Sequence, residues 1–186
     1  MADRNTVIRS LHDIGLAAWF GGSLMGAIGL NGAGAAVLDD KERARVASAG
    51  WAKWTPANAA AIGAHLVGAV GLLQANKGRV AAQQGVGAST AAKTALTAVA
   101  LGATAYARVL GKKIENAGPV PASGPTDPSA ETPSDVAKAM KQEKVAQWVL
   151  PAATGGLLVL NALHGEQQRT TEVVPGILKR LVPFSR

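Results

Sequence analysis

The chain has no cysteine, so its histidines are the residues best suited to bind a metal or to transfer a proton. His65 lies near the middle of a long run without charged residues, and its helical neighbours are small. An ionisable residue in such a position predicts a functional group, either a haem or copper ligand or a proton relay. The alternative is a structural imidazole that bonds a backbone carbonyl, Asn31 or Thr97 on a neighbouring helix.

His12 and His164 are the other two histidines: His12 precedes the first uncharged run, and His164 lies at the end of the last one. A haem held by two histidines needs both at the same depth, and the sequence offers His65 no obvious partner there. His12 and His164 could pair at the surface, where we expect them to be solvated. The main expectation is a chain without a cofactor; the alternative is haem or copper bound by His65 with His12 or His164.

Lys93 is a second ionisable residue inside an apolar stretch, with 14 uncharged residues between it and Arg108. Long basic side chains near helix ends usually extend to the headgroups, and we expect the same here. The alternative is a contact with an anion or substrate in a small transporter. Pro151, which should kink the last helix, would then lie in the same pathway.

Charge-free runs decide where these residues lie. The runs Ile14–Leu38, Trp54–Asn76 and Val145–Gly165 have 25, 23 and 21 residues without a charge, and a membrane-spanning helix needs about 20. A weaker fourth stretch becomes long enough if Lys93 and Arg108 reach outward. The sequence therefore predicts an all-α integral membrane four-helix bundle, one domain over 1–186, with spans at about 14–38, 54–76, 89–110 and 145–165.

Polar segments connect these spans. Residues 39–53 should be partly helical, and Thr55-Pro56 has the residue types of a helix start. The Pro-rich loop 114–133 is expected to be extended, solvated and without a core of its own. The tail 166–186 contains PGILKRLV at 175–182, which predicts a short basic amphipathic helix.

Four spans put both termini on one side of the membrane of a multi-pass protein. The positive-inside rule gives no answer, because nine Lys and Arg fall on the terminal side and ten on the other. The basic tail favours cytoplasmic termini, since it suits an anionic inner leaflet. Aromatic residues are expected at the boundary on the long-loop side: Trp51, Trp54, Tyr106 and Trp148.

Small residues should hold the bundle together, because helices in lipid associate by close packing and polar bonds. Gly22 and Gly26 form a GxxxG pattern in the first span. It predicts close packing within the bundle or, alternatively, self-association of the chain.

Several function classes are excluded or disfavoured by composition. Without cysteine there is no disulfide, thiol catalysis or Cys-ligated zinc. The net charge is +7, but the basic residues are split between both ends and lack interleaved aromatics, so nucleic-acid binding is not expected. No catalytic triad or carboxylate pair can be recognised, so we expect no enzyme. The partners should be membrane lipids and other membrane proteins.

Two stretches carry a family resemblance. Ser10–Gly22 reads SLHDIGLAAWFGG and Trp51–Asn58 reads WAKWTPAN; together they resemble small four-span membrane proteins of actinobacteria, a resemblance that implies no activity. His12-x-x-Gly15 with Trp19-x-Gly21-Gly22 is similar to one span of the copper-resistance D-like membrane family. The function expected is a non-enzymatic structural or accessory component of a bacterial inner membrane; a redox module or a small transporter are the alternatives.

Overall fold

The structure, a computed structural model, describes residues 5–78 and 86–166, apart from the side chain of His164. It is mostly helical, as the sequence predicts. Four helical stretches are long and apolar enough to cross a membrane: Thr6–Ala35, Arg43–Ala75, Val86–Asn116 and Ser134–Leu163. The predicted amphipathic helix at 175–182 and part of the turn after Lys77 lie outside the described residues.

The first stretch is not one uniform helix. Helix α1 covers Thr6–Met25, a π-helical turn comes next at Gly26–Leu30, and α2 covers Asn31–Ala35. A π turn inserts an extra residue into the helical register and therefore rotates α2 relative to α1. In α2, the Asn31 amide accepts from the indole Nε1 of Trp51 at 3.3 Å and donates to Gln147.

Helix α3 covers Arg43–Ala75 and passes through Pro56 without a break, so the helix start predicted at Thr55-Pro56 is wrong. A proline inside a helix removes one hydrogen bond. Tertiary contacts before it keep the helix going: Ala44 and Ala47 are buried, and Arg43 donates from Nε to the Val37 carbonyl at 2.9 Å.

The Pro-rich loop packs against the helices, so the prediction that it is extended and solvated is wrong. It comes after helix α4, Val86–Asn116, and contains the antiparallel strands β1, Ala122–Gly124, and β2, Asp127–Pro128. Helices α3 and α4 and the last helix extend beyond their uncharged runs, so their outer turns offer the loop an apolar surface. The loop and the helices share one buried cluster: Ala44, Leu110, Ile114, Val120, Ala122, Val136, Ala139 and Met140.

Helix α5 covers Ser134–Glu166 and continues through the buried Pro151. Helix α1 packs along α3, α4 packs along α5, and α1 also touches α5. By contrast, α3 and α4 touch little, which leaves a groove between them. We call the end of the bundle near Asn5 and Glu166 the terminal end and the other the loop end.

Glycines set the distance between α1 and α3. A Cβ on Gly15 would lie 2.5 Å from the Ala61 carbonyl oxygen, and one on Gly68 would lie 2.5 Å from the His12 nitrogen. Distances this short leave no room for a side chain. The two backbones therefore touch at these points, and this contact brings His12 beside His65.

Gly22 and Gly26 are also used inside the bundle. A Cβ on Gly22 would meet the ring of Trp54, and one on Gly26 would meet the ring of Trp51. The two glycines thus accommodate indole rings of the same chain. Self-association through them stays a prediction, and it would require these rings to move.

Candidate functional site

The imidazole rings of His12 and His65 are in contact, with centroids 4.3 Å apart and planes tilted by 37°. Both are buried, at 4% and 1% exposure. The expectations that His12 lies in solvent and that His65 lacks a partner are therefore wrong. The cause is Gly68, which lets the backbone of α1 approach α3 one turn from His65.

A hydrogen bond fixes the ring of His65. Its Nδ1 lies 3.1 Å from the backbone oxygen of His12, and because a carbonyl can only accept, Nδ1 carries the hydrogen. This is the backbone-carbonyl form of the structural alternative. Neither Asn31 nor Thr97 is the partner: Asn31 bonds to Gln147 and Trp51 at the loop end, and the Thr97 hydroxyl donates to the Lys93 carbonyl.

Asp13 orients the other ring. The Nδ1 of His12 donates to Oδ1 of Asp13 at 2.9 Å, and the amide of Asn161 approaches the same oxygen at 3.4 Å. A hydrogen on Nδ1 of each ring satisfies the contacts with Asp13 and with the His12 carbonyl, and in a neutral ring this tautomer leaves Nε2 as an acceptor. Trp19 completes the cluster, fully buried, with its ring centroid 6.1 Å from that of His65 and its indole N–H without a partner among the described residues.

The histidine pair borders an open cavity of about 560 Å³ at the terminal end of the groove. We call it the histidine cavity; its polar lining includes Arg9, His12, Asp13, His65, Lys93, Thr97 and Asn161. Lys93 is half-buried, and no residue in the described part of the chain forms an ion pair with it. The cavity therefore presents an ammonium group that has no direct ion pair among the described residues, with the Asp13 carboxylate as the negative charge in the same lining.

The pair does not fit a haem or copper ion held between the two rings. Metal–nitrogen bonds of about 2 Å on opposite sides of one ion would require rings further apart than stacked ones. Within residues 5–78 and 86–166, no three His, Asp or Glu side chains come together as a metal site. Cofactor binding by His65, His12 and His164 stays a prediction, and the side chain of His164 lies outside the described residues.

A second cavity, of about 190 Å³, opens at the loop end of the same groove. We call it the tryptophan cavity; its polar and aromatic lining includes Trp51, Trp54, Asn58, Arg108, Glu143 and Gln147. Glu143 is 7% exposed; its Oε1 accepts from Nε2 of Gln147 at 2.9 Å, and its Oε2 has no partner among the described residues.

The sequence alone does not single out Glu143. It precedes the last uncharged run by two positions, where it resembles the other charges of the connecting segments. The available signal is Gln147, four residues later on the same helical face, since a Glu and a Gln in that spacing can bond to each other.

An apolar layer separates the two cavities, centred on the buried Leu16, Trp19 and Leu157. On α3, Ile62 lines the tryptophan cavity, and His65, one turn further, lines the histidine cavity. The cavities therefore lie towards opposite ends of one groove.

No protein-family model matches the chain, and comparison with curated proteins and with solved structures gives no match either.

Proposed function

We propose that this protein is a non-enzymatic, multi-pass component of a bacterial inner membrane that holds a small anionic ligand in the histidine cavity. The observation that carries the proposal is Lys93, a half-buried ammonium group in a polar cavity with no ion pair from the described residues. A cation within an apolar bundle is costly unless something pairs with it. A bound anion would supply that partner.

The rest of the lining supports a binding role. The Asn161 amide, which approaches Asp13 only at 3.4 Å, adds N–H donors to the lining, whereas the Thr97 hydroxyl already donates to the Lys93 carbonyl. Arg9 adds a second positive charge to the lining, and Asp13 adds one negative charge. With neutral histidines the cavity keeps a net positive charge, which favours an anion by simple Coulomb attraction.

The test compares three forms of the full-length protein in detergent: wild type, Lys93→Gln and Lys138→Gln. Lys138 is an exposed lysine that lines neither cavity and serves as the control. Acetate, succinate and inorganic phosphate are the probes, read out by thermal unfolding. A ligand at about 100 times its Kd stabilises by about 2.7 kcal/mol, so at least one anion should raise Tm in the wild type and in Lys138→Gln but not in Lys93→Gln. Equal responses in all three forms would contradict the proposal.

A small transporter is the second candidate, and the two aligned cavities favour it. Each opens towards a different end of the groove, and the apolar cluster around Trp19 lies at the level between them. A transporter exposes its binding site to one side of the membrane at a time, and an apolar layer of this kind can close the path to the other side. Pro151 lines neither cavity, so Lys93 is the residue to test. If the protein is a transporter, the anion that raises Tm should enter liposomes that contain the wild type and not those that contain Lys93→Gln. If the anion binds but does not cross, the accessory role is supported instead.

A further inference from the structure

We infer that the tryptophan cavity binds a small primary ammonium group, carried either by a free alkylamine or by the ethanolamine headgroup of a lipid. The argument begins with Glu143, a buried carboxyl group with one oxygen bonded to Gln147 and the other without a partner among the described residues. An unpaired buried polar atom costs free energy. A ligand with an N–H donor would remove this cost.

Asn58 provides a second acceptor in the same cavity. Its Oδ1 is buried and has no hydrogen-bond partner among the described residues. Two acceptors that share one small cavity and lack donors call for a ligand with at least two N–H groups. A primary ammonium group has three, whereas a quaternary ammonium has none.

No cation of the described chain takes this place. Arg108 lines the cavity but is exposed and forms no ion pair with Glu143. The neighbouring Lys144 pairs with Asp127, and Lys112 pairs with Glu115. Among the described residues, the carboxyl group of Glu143 therefore has no cationic partner.

Two indole rings form a fixed wall of this cavity. Trp54 packs over Gly22 and Trp51 over Gly26, and Nε1 of Trp51 is bonded to Asn31. Tryptophan rings attract ammonium ions through their π electrons. The contacts with the first helical stretch hold both rings in place beside the cavity.

Size and position narrow the ligand class. About 190 Å³ is below the roughly 300–1,000 Å³ of sites for drug-sized ligands, so only a short amine or a headgroup fits. The cavity lies at the loop end, beside the tryptophans that the sequence places at the membrane boundary. Both a dissolved amine and a lipid headgroup can reach that level.

The experiment uses the full-length protein and measures binding by calorimetry in detergent. Ethanolamine and ethylammonium are the probes, tetramethylammonium is the comparison ligand, and Glu143→Gln is the variant. Gln keeps the size and a hydrogen-bonding amide but loses the charge. The matched control is Glu131→Gln, because Glu131 is exposed and lines neither cavity. We expect Glu143→Gln to weaken binding of the primary amines at least tenfold and Glu131→Gln to leave it unchanged.

A second arm distinguishes the two sources. If only a lipid headgroup binds, free amines give no heat of binding. The wild type should then have a higher Tm in nanodiscs of phosphatidylethanolamine than in nanodiscs of phosphatidylcholine, and Glu143→Gln should show no such difference. No response in either arm overturns the inference, and so does equal binding of tetramethylammonium. If Glu143→Gln does not fold, two other measurements replace it. Asn58→Leu should weaken amine binding, and ethylammonium should quench the tryptophan fluorescence of the wild type; the absence of both effects overturns the inference. Lys93→Gln should retain amine binding, which separates this result from the anion test.

Discussion

His65 stacks on His12 and at the same time donates from Nδ1 to the backbone oxygen of His12, at 3.1 Å. One residue of α3 therefore contacts both the ring and the main chain of one residue of α1. Such a double contact fixes the depth at which the two helices meet. It makes His65 a positioning residue for the histidine cavity, whatever that cavity binds.

The first prediction separates this positioning role from metal binding. His65→Gln keeps an N–H donor for the His12 carbonyl and should be tolerated. His65→Leu removes the bond from α3 to that carbonyl, which still accepts from the backbone of its own helix. Since interhelical hydrogen bonds in membranes average about 0.6 kcal/mol, the loss should be modest. Thermal unfolding and metal analysis of wild type and both variants provide the measurement. Equal loss of a bound metal or haem from both variants would show that His65 is a ligand.

The second prediction concerns the approach of α1 to α3. Gly68→Ala would put a Cβ 2.5 Å from the His12 nitrogen, and overpacking of this kind costs about 1–3 kcal/mol. Gly63 is the control, because a Cβ there meets nothing within 4 Å. Gly63→Ala should be neutral or slightly stabilising, as alanine is the better helix former. If Gly68→Ala unfolds at the same temperature as Gly63→Ala, α1 and α3 are not in backbone contact at this position.

The sequence predicts the helices better than the contacts between them. Uncharged runs locate three of the four apolar helices because length and charge are properties of each segment alone; the fourth is found only by letting Lys93 and Arg108 reach outward. The pairing of His12 with His65 could not be predicted, since it depends on Gly68 and on how far α1 slides along α3. Glu143 is hard to recognise for a similar reason: its burial depends on the elements packed against its helix. Pro56 is misleading because proline suits a helix start and also occurs inside a helix that tertiary contacts extend.

The third prediction tests the packed loop. Arg43 donates to the carbonyls of Val37, Ala122 and Ser123, so it ties β1 to the start of α3. Arg43→Met should free these carbonyls and make the loop more accessible. Limited proteolysis should then cut within 117–133 faster than in the wild type. Arg45→Met is the control, because Arg45 is exposed and its one ion pair among the described residues is with Glu42. Similar cleavage rates in the two variants would mean that Arg43 does not hold the loop.

The last prediction concerns topology, and the absence of native cysteine makes it easy to test. Thr6 lies at the terminal end and Glu131 in the packed loop at the opposite end, and both are exposed. Three of the four membrane crossings separate them, which places Thr6→Cys and Glu131→Cys on opposite sides of the membrane. If the termini are cytoplasmic, a membrane-impermeant maleimide should label Glu131→Cys in intact cells and Thr6→Cys only after lysis. The reversed pattern keeps four spans and inverts the orientation. Labelling of both cysteines in intact cells would contradict the four-span arrangement, because an even number of crossings would then separate the two positions.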